Sequence, residues 1–468
     1  MDSVLSSRAC DSRDRRTFFP SPSIGRRMST DEVRPAVRGQ DPDGARRAAI
    51  GTLEAGTPWL EVARAAAVAY GESVDVSPEF PPHGVMMASA AMRLARHLPP
   101  VAQPVPIIEA VAAMAAERKL AKGEQRRPLK IAGEISHLSR SFEYAVRAGA
   151  SEDGVSVYAG LLQEGKERAM AGDALFRVAA EDMVVGGHKL LFSVAAWQLA
   201  RALGWRAGNV IMAPAVTFVA GGIRDRASYE TFMAVLGKEK LDLEAVAGNA
   251  VPPDDADRSA LRAALRGASP EACARQVIES LKRGVSLDGV ASVAVEEAAA
   301  RLSSANLYDL PALHAFLYTD TARWVLRFSK THTRLFPLVQ ACLLLQSQKR
   351  PVGAPTVMSL GDEAALRSGI RAAIESRASE EASARTRGYV SKGYPLATLV
   401  AMLGYDACRD APASGHNVEL ASAVADEVLV HRPSTPDALP ALARILSVCP
   451  RDRSAWDVLE ARFPLTSF

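Results

Sequence analysis

HKLLFSVAAWQLARALGW, residues 188–205, is the stretch that decides the fold, because three similar stretches occur elsewhere in the chain. Each begins with a histidine and continues with apolar residues at helical spacing. They are HGVMMASAAMRLARHLPP at 83–100, HAFLYTDTARWVLRFSKT at 314–331 and HNVELASAVADEVLVHRP at 416–433. The four stretches predict four helices related by an internal repeat, each with an imidazole at the same position.

A second apolar helix is predicted after each histidine helix. The segments are PIIEAVAAMAAE at 106–117, NVIMAPAVTFVA at 209–220, RLFPLVQACLLL at 334–345 and DALPALARILSV at 437–448. Upstream of each histidine helix a glycine is expected to end one helix before the next begins; these glycines are Gly56, Gly154, Gly284 and Gly393. No segment alternates with a period of two for long enough to predict a strand.

The expected fold class is therefore all-α: a helical repeat array of four related multi-helix units wrapped around a central histidine cluster. A closed arrangement would bring equivalent positions toward one axis, whereas an open superhelix would spread them along a surface. A single domain is predicted over 41–460, with units at about 41–120, 130–222, 270–350 and 376–450 and a helical insertion at 223–269. Residues 1–40 are expected to be a disordered or mis-assigned N-terminal tail, because residues 1–27 are rich in Arg and Ser and lack a signal-peptide apolar segment.

Composition excludes several classes of protein. The chain is 48% hydrophobic and 23% charged, which is typical of soluble globular proteins, and its net charge of +3 gives no electrostatic case for nucleic acid. The longest apolar run, 209–222, is too short to span a bilayer. Five widely spaced cysteines predict no disulfide framework, zinc ribbon or Rieske cluster, and they suit buried positions in a reducing cytoplasm. Short basic clusters such as Arg126-Arg127 are interpreted as solvated helix ends.

The candidate metal ligands are His83, His188, His314 and His416. Each nitrogen of a buried imidazole needs a hydrogen-bond or metal partner, so apolar packing alone does not explain why every unit has a histidine. Metal binding does explain it, because neutral imidazole is a common metal ligand. Capping or a surface position is the alternative for any single histidine at a helix start, and His83 and His314, which follow prolines, fit it. Four nitrogen ligands without cysteine suit Fe, Mn, Cu, Ni or catalytic Zn rather than a structural zinc site.

Tyr318 and Asp320 are the candidate catalytic residues. Tyr318 lies one turn after His314 and is expected on the same helix face, where it could donate to a bound oxygen species or orient an imidazole. Asp320 and Asp182 could each accept a hydrogen bond from an imidazole N–H. The alternative for all three is a structural role, as a core tyrosine and surface carboxylates. Gly186-Gly187 before His188 predict a kink or a close approach.

No phosphate-binding glycine loop, dinucleotide fingerprint, HExxH or nucleophile elbow occurs, so no NAD or flavin site is visible. Any oxygen chemistry would draw its electrons from the substrate or from an outside reductant.

The GHKLLF segment at Gly187, the HAFLYTDTARWVL segment at His314 and the helical repeat resemble the questin oxidase-like family. They also resemble the α-helical region that accompanies Rieske domains in some bacterial proteins. The resemblance extends over most of residues 45–450. Members of the former family are cofactor-poor oxygenases that act on anthraquinones by Baeyer–Villiger-type oxidation or ring cleavage, and at least some use a non-heme iron held mainly by histidines.

The resemblance implies that His83, His188, His314 and His416 are iron ligands. Two departures concern the ligand set. A second histidine one to two turns after the first is absent, and Ala90 and its neighbours stand there instead. His416 occupies the place of the last ligand, which in that family can be a modified lysine.

The function predicted from the sequence is a non-heme metal-dependent oxygenase, most simply an iron enzyme, that oxidises an aromatic or apolar small molecule with O₂. Two other classes stay open. One is a non-catalytic α-helical repeat scaffold that binds a protein or peptide on a concave face. The other is a His-ligated metallohydrolase, which would work without oxygen. Neither nucleic acid nor membrane is an expected partner.

Overall fold

The computed structural model describes residues 30–465, except 77–80, 164–165, 268, 306, 350–351, 411–414 and 432–433. The described residues form 23 α-helices and no strand, which confirms the prediction of an all-α fold. Isolated β-bridges join Val74 to Lys119 and Val251 to Val285.

The helices follow one another along the chain with mostly short connections. Their bounds are α1 Val33–Arg38, α2 Pro42–Glu54, α3 Trp59–Ser73, α4 His83–Ala95, α5 Pro104–Ala116, α6 Ile135–Ala148, α7 Ser151–Leu161, α8 Lys166–Ala179, α9 Val184–Ala202, α10 Gly208–Ala220, α11 Ala227–Glu239, α12 Leu243–Ala247, α13 Asp255–Gly267, α14 Pro270–Lys282, α15 Leu287–Leu302, α16 Leu310–Phe328, α17 Leu335–Gln348, α18 Glu363–Glu375, α19 Ser379–Ser391, α20 Leu396–Arg409, α21 His416–Ala425, α22 Ala438–Val448 and α23 Trp456–Arg462. A 3₁₀ turn, His332–Arg334, precedes α17, and a π-helical turn, Asp426–Val430, extends α21.

The folded part of the chain begins before residue 41. α1 lies inside the segment that was predicted to be a tail, and Val33 and Val37 are fully buried. Residues four apart share one face of a helix, and α1 packs against α2, α3 and α5. The tail prediction is therefore wrong for α1, and residues 1–29 lie outside the described residues.

The four histidine helices pack against one another in a closed ring. α4 packs on α9, α9 on α16, α16 on α21, and α21 on α4. Each of them also packs on the helix that follows it, namely α5, α10, α17 and α22. Because the ring is closed, corresponding positions of its four helices can approach one axis. The relation of the four units as internal repeats stays a prediction.

One of the four expected helix-ending glycines is misplaced. Gly56, Gly284 and Gly393 follow α2, α14 and α19 with φ values of 87°, 95° and 71°. Gly154 instead lies inside α7, and Gly149, with φ 78°, ends α6. The prediction failed because the connection between α6 and α7 is short and lies before Gly154, so the left-handed residue is five positions earlier, at Gly149. Glycine favours the left-handed conformation at either position.

A single cluster of buried apolar residues extends from Val33 to Leu459. The segment 223–269 contains α11, α12 and α13, and α11 and α13 pack on α14 and α17. Four cysteines, Cys273, Cys342, Cys408 and Cys449, are buried and free, as expected of apolar core residues. Cys10 lies outside the described residues. Among the helices described, none combines the length and the apolar character needed to cross a bilayer.

Candidate metal centre

The four histidines lie at or near the starts of the ring helices. His83 is the first residue of α4, His416 is the first residue of α21, and His314 is the fifth residue of α16. In α9 the residues 185–187 have a left-handed backbone, so the regular helix begins at His188. Closure of the ring therefore brings four helix starts, each with an imidazole, to one end of the bundle.

The four rings form a closed circuit that follows the order of the chain. Ring centroids are 5.1 Å apart for His83 and His188, and 4.6 Å apart for His188 and His314. The remaining centroid distances are 5.0 Å for His314 to His416 and 4.5 Å for His416 to His83. One ligand atom from each of His83, His188 and His416 lies within 4.8 Å of the others, and Nε2 of His314 is 2.9 Å from Nε2 of His416. The structure thus brings together all four candidate ligands.

His188 is oriented by the backbone turn that precedes it. Its Nδ1 contacts the carbonyl oxygen of Val185 and donates to it, so the lone pair of the neutral ring lies on Nε2. Nε2 is buried and has no hydrogen-bond partner among the described residues. His188 is only 1% exposed, so bulk water has little access to this nitrogen.

The turn before His188 is a sterically demanding piece of backbone. Val185, Gly186 and Gly187 have φ values of 51°, 70° and 85°, and for the β-branched Val185 such a value is an outlier. A Cβ atom on Gly187 would lie 2.3 Å from Cδ2 of Tyr318. The predicted kink and close approach at Gly186-Gly187 are confirmed, and glycine is required at Gly187 because the Tyr318 ring packs directly on its backbone.

Glu419 belongs to the cluster and was missed from the sequence. Its Oε1 lies 3.6 Å from Nδ1 of His83, and the residue is 4% exposed. Neither carboxylate oxygen has a hydrogen-bond partner among the described residues. Glu419 follows His416 by three positions, in HNVE, and this spacing places both side chains on one side of a helix. That spacing was the signal available in the sequence.

Glu117, just after α5, lies beside His83. Its carboxylate accepts hydrogen bonds from the backbone N–H of Gly84 and from the hydroxyl of Tyr70. The first bond satisfies a free N–H at the start of α4. A second carboxylate therefore stands near His83, and only the packing of α5 on α4 brings it there.

Burial and charge act differently on the four imidazoles. Burial, reinforced by His314 and His83, lowers the pKa of His188 well below its ordinary value. Burial and the charge of His83 lower the pKa of His314 to about 4, and burial with the other three histidines lowers the pKa of His416 to about 2. For His83, burial lowers the pKa, but the nearby carboxylate of Glu419 and the charge of Glu117 outweigh it, and the pKa is raised. At neutral pH, His188, His314 and His416 are thus uncharged, which is the form that binds metals.

The cluster fits a transition-metal ion. Two imidazole nitrogens that are each about 2.1 Å from one ion and at right angles are roughly 3.0 Å apart, close to the 2.9 Å between Nε2 of His314 and Nε2 of His416. Nε2 of His188, Nδ1 of His83 and both oxygens of Glu419 are buried without hydrogen-bond partners among the described residues. Leaving such a group unsatisfied costs about 1–3 kcal/mol. A cation among the imidazoles would give Nε2 of His188 a partner, and Glu419, 3.6 Å from Nδ1 of His83, would offset part of its charge.

Tyr318 lies beside the cluster, as its spacing from His314 predicts. The side chain is fully buried, its ring contacts Gly187, and its hydroxyl has no hydrogen-bond partner in the described part of the chain. Burial raises the pKa of the Tyr318 hydroxyl far above its ordinary value, so the group keeps its proton. A neutral donor without a partner therefore stands next to the turn that orients His188.

Asp320 lies elsewhere. Its carboxylate is 3.8 Å from Nη1 of Arg93, and it groups with Asp426 and His431, with one ligand atom of each within 4.8 Å of the others. None of these is one of the four clustered histidines. Six residues along a helix turn the side chain by about 240° from His314, so it points away from the centre. The expectation that Asp320 holds an imidazole of the centre is wrong.

Asp182 likewise does not hold an imidazole. It accepts a hydrogen bond from Nζ of Lys189 at 2.6 Å, and its other oxygen accepts from the amides of Val184 and Asp225, both at 3.0 Å. These bonds stabilise the backbone before the left-handed turn. Both carboxylate oxygens of Asp182 are therefore already hydrogen-bonded near the start of α9.

Comparison with known proteins adds no relative: no family model matches the chain, and no curated protein or solved structure matches it either. The chemistry of the centre therefore has to follow from its own side chains.

Proposed function

We propose that this chain is a non-heme metal-dependent oxygenase with His83, His188, His314 and His416 as the metal ligands and iron as the metal. The supporting observation is a convergence of four imidazoles with a buried carboxylate, Glu419, whose oxygens have no hydrogen-bond partner among the described residues. A donor set rich in imidazole suits Fe and its first-row neighbours, whereas Mg²⁺ and Ca²⁺ take oxygen ligands. Bound iron would supply the activation of O₂ and of the substrate.

The surrounding residues have definable tasks in this proposal. The Val185 carbonyl holds the His188 ring so that its Nε2 lone pair faces the other imidazoles. The contact of Tyr318 with Gly187 keeps the turn in place. Glu419 either orients His83 or joins the ligand set, and in both roles its negative charge offsets that of a cation. The Tyr318 hydroxyl is available to donate a hydrogen bond to a reactant.

The proposed substrate is an aromatic or other apolar small molecule. Side chains within about one turn of the histidines are mainly apolar and buried; they include Met86, Met87, Leu191, Leu317 and Leu420. Small-molecule sites typically combine such apolar walls with a few well-placed polar groups. A charged substrate would lose its hydration there without gaining a partner.

The two kinds of oxidation that we consider, ring-cleaving dioxygenation and Baeyer–Villiger-type oxidation, differ in the source of their electrons. When both atoms of O₂ enter the substrate, as in ring-cleaving dioxygenation, no outside reductant is required. When one atom enters the substrate and the other leaves as water, as in a Baeyer–Villiger-type oxidation, two electrons must come from the substrate or from an external reductant. Labelling with ¹⁸O₂ distinguishes these cases, because the product carries two labelled atoms in the first case and one in the second.

Metal analysis of tag-free protein tests the ligand assignment. We expect close to one equivalent of iron after anaerobic reconstitution, and near-complete loss in a His188→Asn/His314→Asn double variant. A His137→Asn/His332→Asn double variant, in which neither histidine belongs to the cluster, is the matched control and should bind metal normally. Less than about a tenth of an equivalent of any transition metal in reconstituted, folded wild-type protein contradicts the proposal, since apparent affinities of built sites are high.

Dependence on oxygen separates the oxygenase from its rivals. A panel of aromatic and apolar compounds is screened for substrate-dependent O₂ uptake with the iron-loaded protein. A metallohydrolase would turn over substrate under anaerobic conditions. A scaffold would bind its protein or peptide partner equally well when the His188/His314 variant replaces the wild type.

A further inference from the structure

A cavity of about 730 Å³ lies around Trp205, far from the metal centre. Its walls come from the connection between α5 and α6, from α8 and from the residues that join α9 to α10. α9 extends from the histidine end to Ala202 over roughly 20 Å at 1.5 Å per residue, so the cavity lies at the opposite end of that helix. Its volume falls in the range that small-molecule sites occupy. We call it the Trp205 cavity.

Positive charge dominates the lining of the Trp205 cavity. The cationic side chains are Arg126, Arg127, Lys130, Arg168 and Arg206. The chain as a whole has 56 basic and 53 acidic residues. Among the described residues, however, the cavity lining contains one carboxylate, Glu72, and that carboxylate is bonded to Arg38. Within the described residues none of the five cations lies in an ion pair. A surplus of this size raises the local concentration of anions.

The cations are partly fixed in position before any ligand arrives. Nη1 of Arg126 donates to the backbone carbonyls of Gly71 and Val74, at 3.2 and 3.1 Å. The Arg168 guanidinium lies 4.6 Å above the Trp205 ring. Trp205 itself packs against Trp197, with centroids 4.8 Å apart. Because Arg126 and Arg168 are already held in place, these two side chains lose little freedom when an anion binds.

Arg126-Arg127 do not stand at helix ends, as the sequence had suggested, although the Arg127 side chain is exposed. Both residues lie in the irregular connection after α5, where they line the Trp205 cavity. Guanidinium groups bind phosphate oxygens through paired N–H donors, which gives them geometric as well as electrostatic selectivity. The chain has no phosphate-binding glycine loop, so side-chain cations would take over that task.

We propose that the Trp205 cavity binds a small ligand that carries two or more linked phosphate groups, such as a nucleoside triphosphate or pyrophosphate. Five cations are best matched by an anion with three or four negative charges, whereas a monoanionic carboxylate leaves most of the surplus uncompensated. The volume admits one such molecule. This inference is independent of the metal centre and stands or falls separately from it.

Calorimetric titration of the full chain at about 0.15 M salt, without divalent cations, tests the proposal. ATP, pyrophosphate and orthophosphate are the probes. We expect ATP and pyrophosphate to bind with one-to-one stoichiometry and at least about ten-fold more tightly than orthophosphate. The triple variant Arg127→Gln/Lys130→Gln/Arg206→Gln alters exposed side chains only, so it should fold normally and bind both probes at least about ten-fold more weakly.

A second triple variant, Arg34→Gln/Arg47→Gln/Lys240→Gln, is the matched control. It removes three positive charges from exposed positions outside the cavity and should bind both probes like the wild type. Absence of saturable binding overturns the proposal. So does equal affinity for orthophosphate, or equal weakening in the two triple variants, since either result indicates an unspecific response to net charge.

Discussion

Nε2 of His314 lies 2.9 Å from Nε2 of His416, although 102 residues separate the two histidines in the chain. Two neutral imidazoles this close either share one N–H or direct both lone pairs at a third atom. A cation in the second arrangement would also offer a partner to Nε2 of His188, which is buried without a hydrogen-bond partner among the described residues. If a cation binds at this point, as we propose, it should also stabilise the folded chain.

Replacing Glu419 by glutamine should weaken metal binding without unfolding the protein. The substitution keeps the volume but removes the negative charge near His83, and loss of a group that supports metal ligands typically costs about 10–100-fold in affinity. Metal-free E419Q should be at least as stable as the metal-free wild type, because burial already raises the pKa of this unsatisfied carboxyl. Competition titration with a chromophoric chelator and thermal denaturation measure the two quantities.

Glu109 supplies a matched control for Glu419. It is also buried, but it is paired with Arg46 at 3.0 Å, away from the histidines. E109Q should lower stability and leave metal affinity unchanged. If E109Q and E419Q lose metal affinity alike, Glu419 has no special relation to the centre.

Replacing Gly187 by alanine should disrupt the orientation of His188. The new Cβ would lie 2.3 Å from Cδ2 of Tyr318, and φ is 85°, so either the turn or the tyrosine must move. We expect a loss of more than about 2 kcal/mol in the free energy of unfolding, together with weaker metal binding. Gly56→Ala is the control: its φ is 87° but nothing lies within 4 Å of the added Cβ, so it should cost only the backbone term of about 1 kcal/mol. Equal effects of the two changes on metal affinity contradict a role for the close contact.

Replacing Tyr318 by phenylalanine should separate catalysis from stability. The Tyr318 hydroxyl is buried without a partner among the described residues, so its removal should leave stability unchanged or raise it by up to about 1 kcal/mol. Metal content should not change, whereas substrate-dependent O₂ uptake should fall by about ten-fold or more if the hydroxyl donates to a reactant. Tyr158→Phe removes another buried hydroxyl without a partner, in α7, and should leave O₂ uptake unaltered. Unaltered uptake in Y318F would exclude the hydroxyl from the reaction.

The metal-free protein should lose stability as the pH is lowered from about 6.5 toward 4. The pKa of His314 is lowered to about 4. Between about pH 6.5 and 4 the unfolded chain therefore binds a proton that the folded chain does not bind. The free energy of unfolding consequently decreases as the pH decreases. The full effect of His314 alone is on the order of 3 kcal/mol. His188 and His416 act in the same direction, whereas His83, whose pKa is raised, contributes stability at low pH that is lost as pH rises through its folded pKa.

Urea denaturation of chelator-treated protein at several pH values measures this dependence. A His314→Asn variant should show a flatter decline, because it lacks one of the groups that titrate differently in the two states. Parallel curves for wild type and variant would mean that His314 is not held in its neutral form by burial. Iron-loaded wild type should decline more steeply, since protonation of the ligands also releases the metal.

Some features of the site required no tertiary information to predict. Local periodicity predicts the helices, because apolar side chains that recur about every 3.6 residues can be recognised within a short segment. The same segments contain the histidines at or near the helix starts, namely His83, His188, His314 and His416. The kink at Gly186-Gly187 is equally local, since glycine is the residue that tolerates positive φ. Gly154 shows the limit of this approach: a glycine near a helix boundary does not reveal which residue adopts the left-handed conformation.

Other features depended on contacts between residues far apart in the chain. Closure of the ring from α21 back to α4 joins the last unit to the first, and no local pattern distinguishes that closure from an open superhelix. Glu117 reaches His83 only because α5 packs on α4. The direction of Asp320 away from His314 follows from helix geometry, but the packing of other helices on α16 supplies Arg93 as its neighbour. The sequence by itself thus determined the helices and placed a histidine at or near the start of each ring helix. Only the tertiary structure decided that the four imidazoles meet and that Glu419 lies beside His83. Both depend on packing and charge compensation between residues that are far apart in the chain.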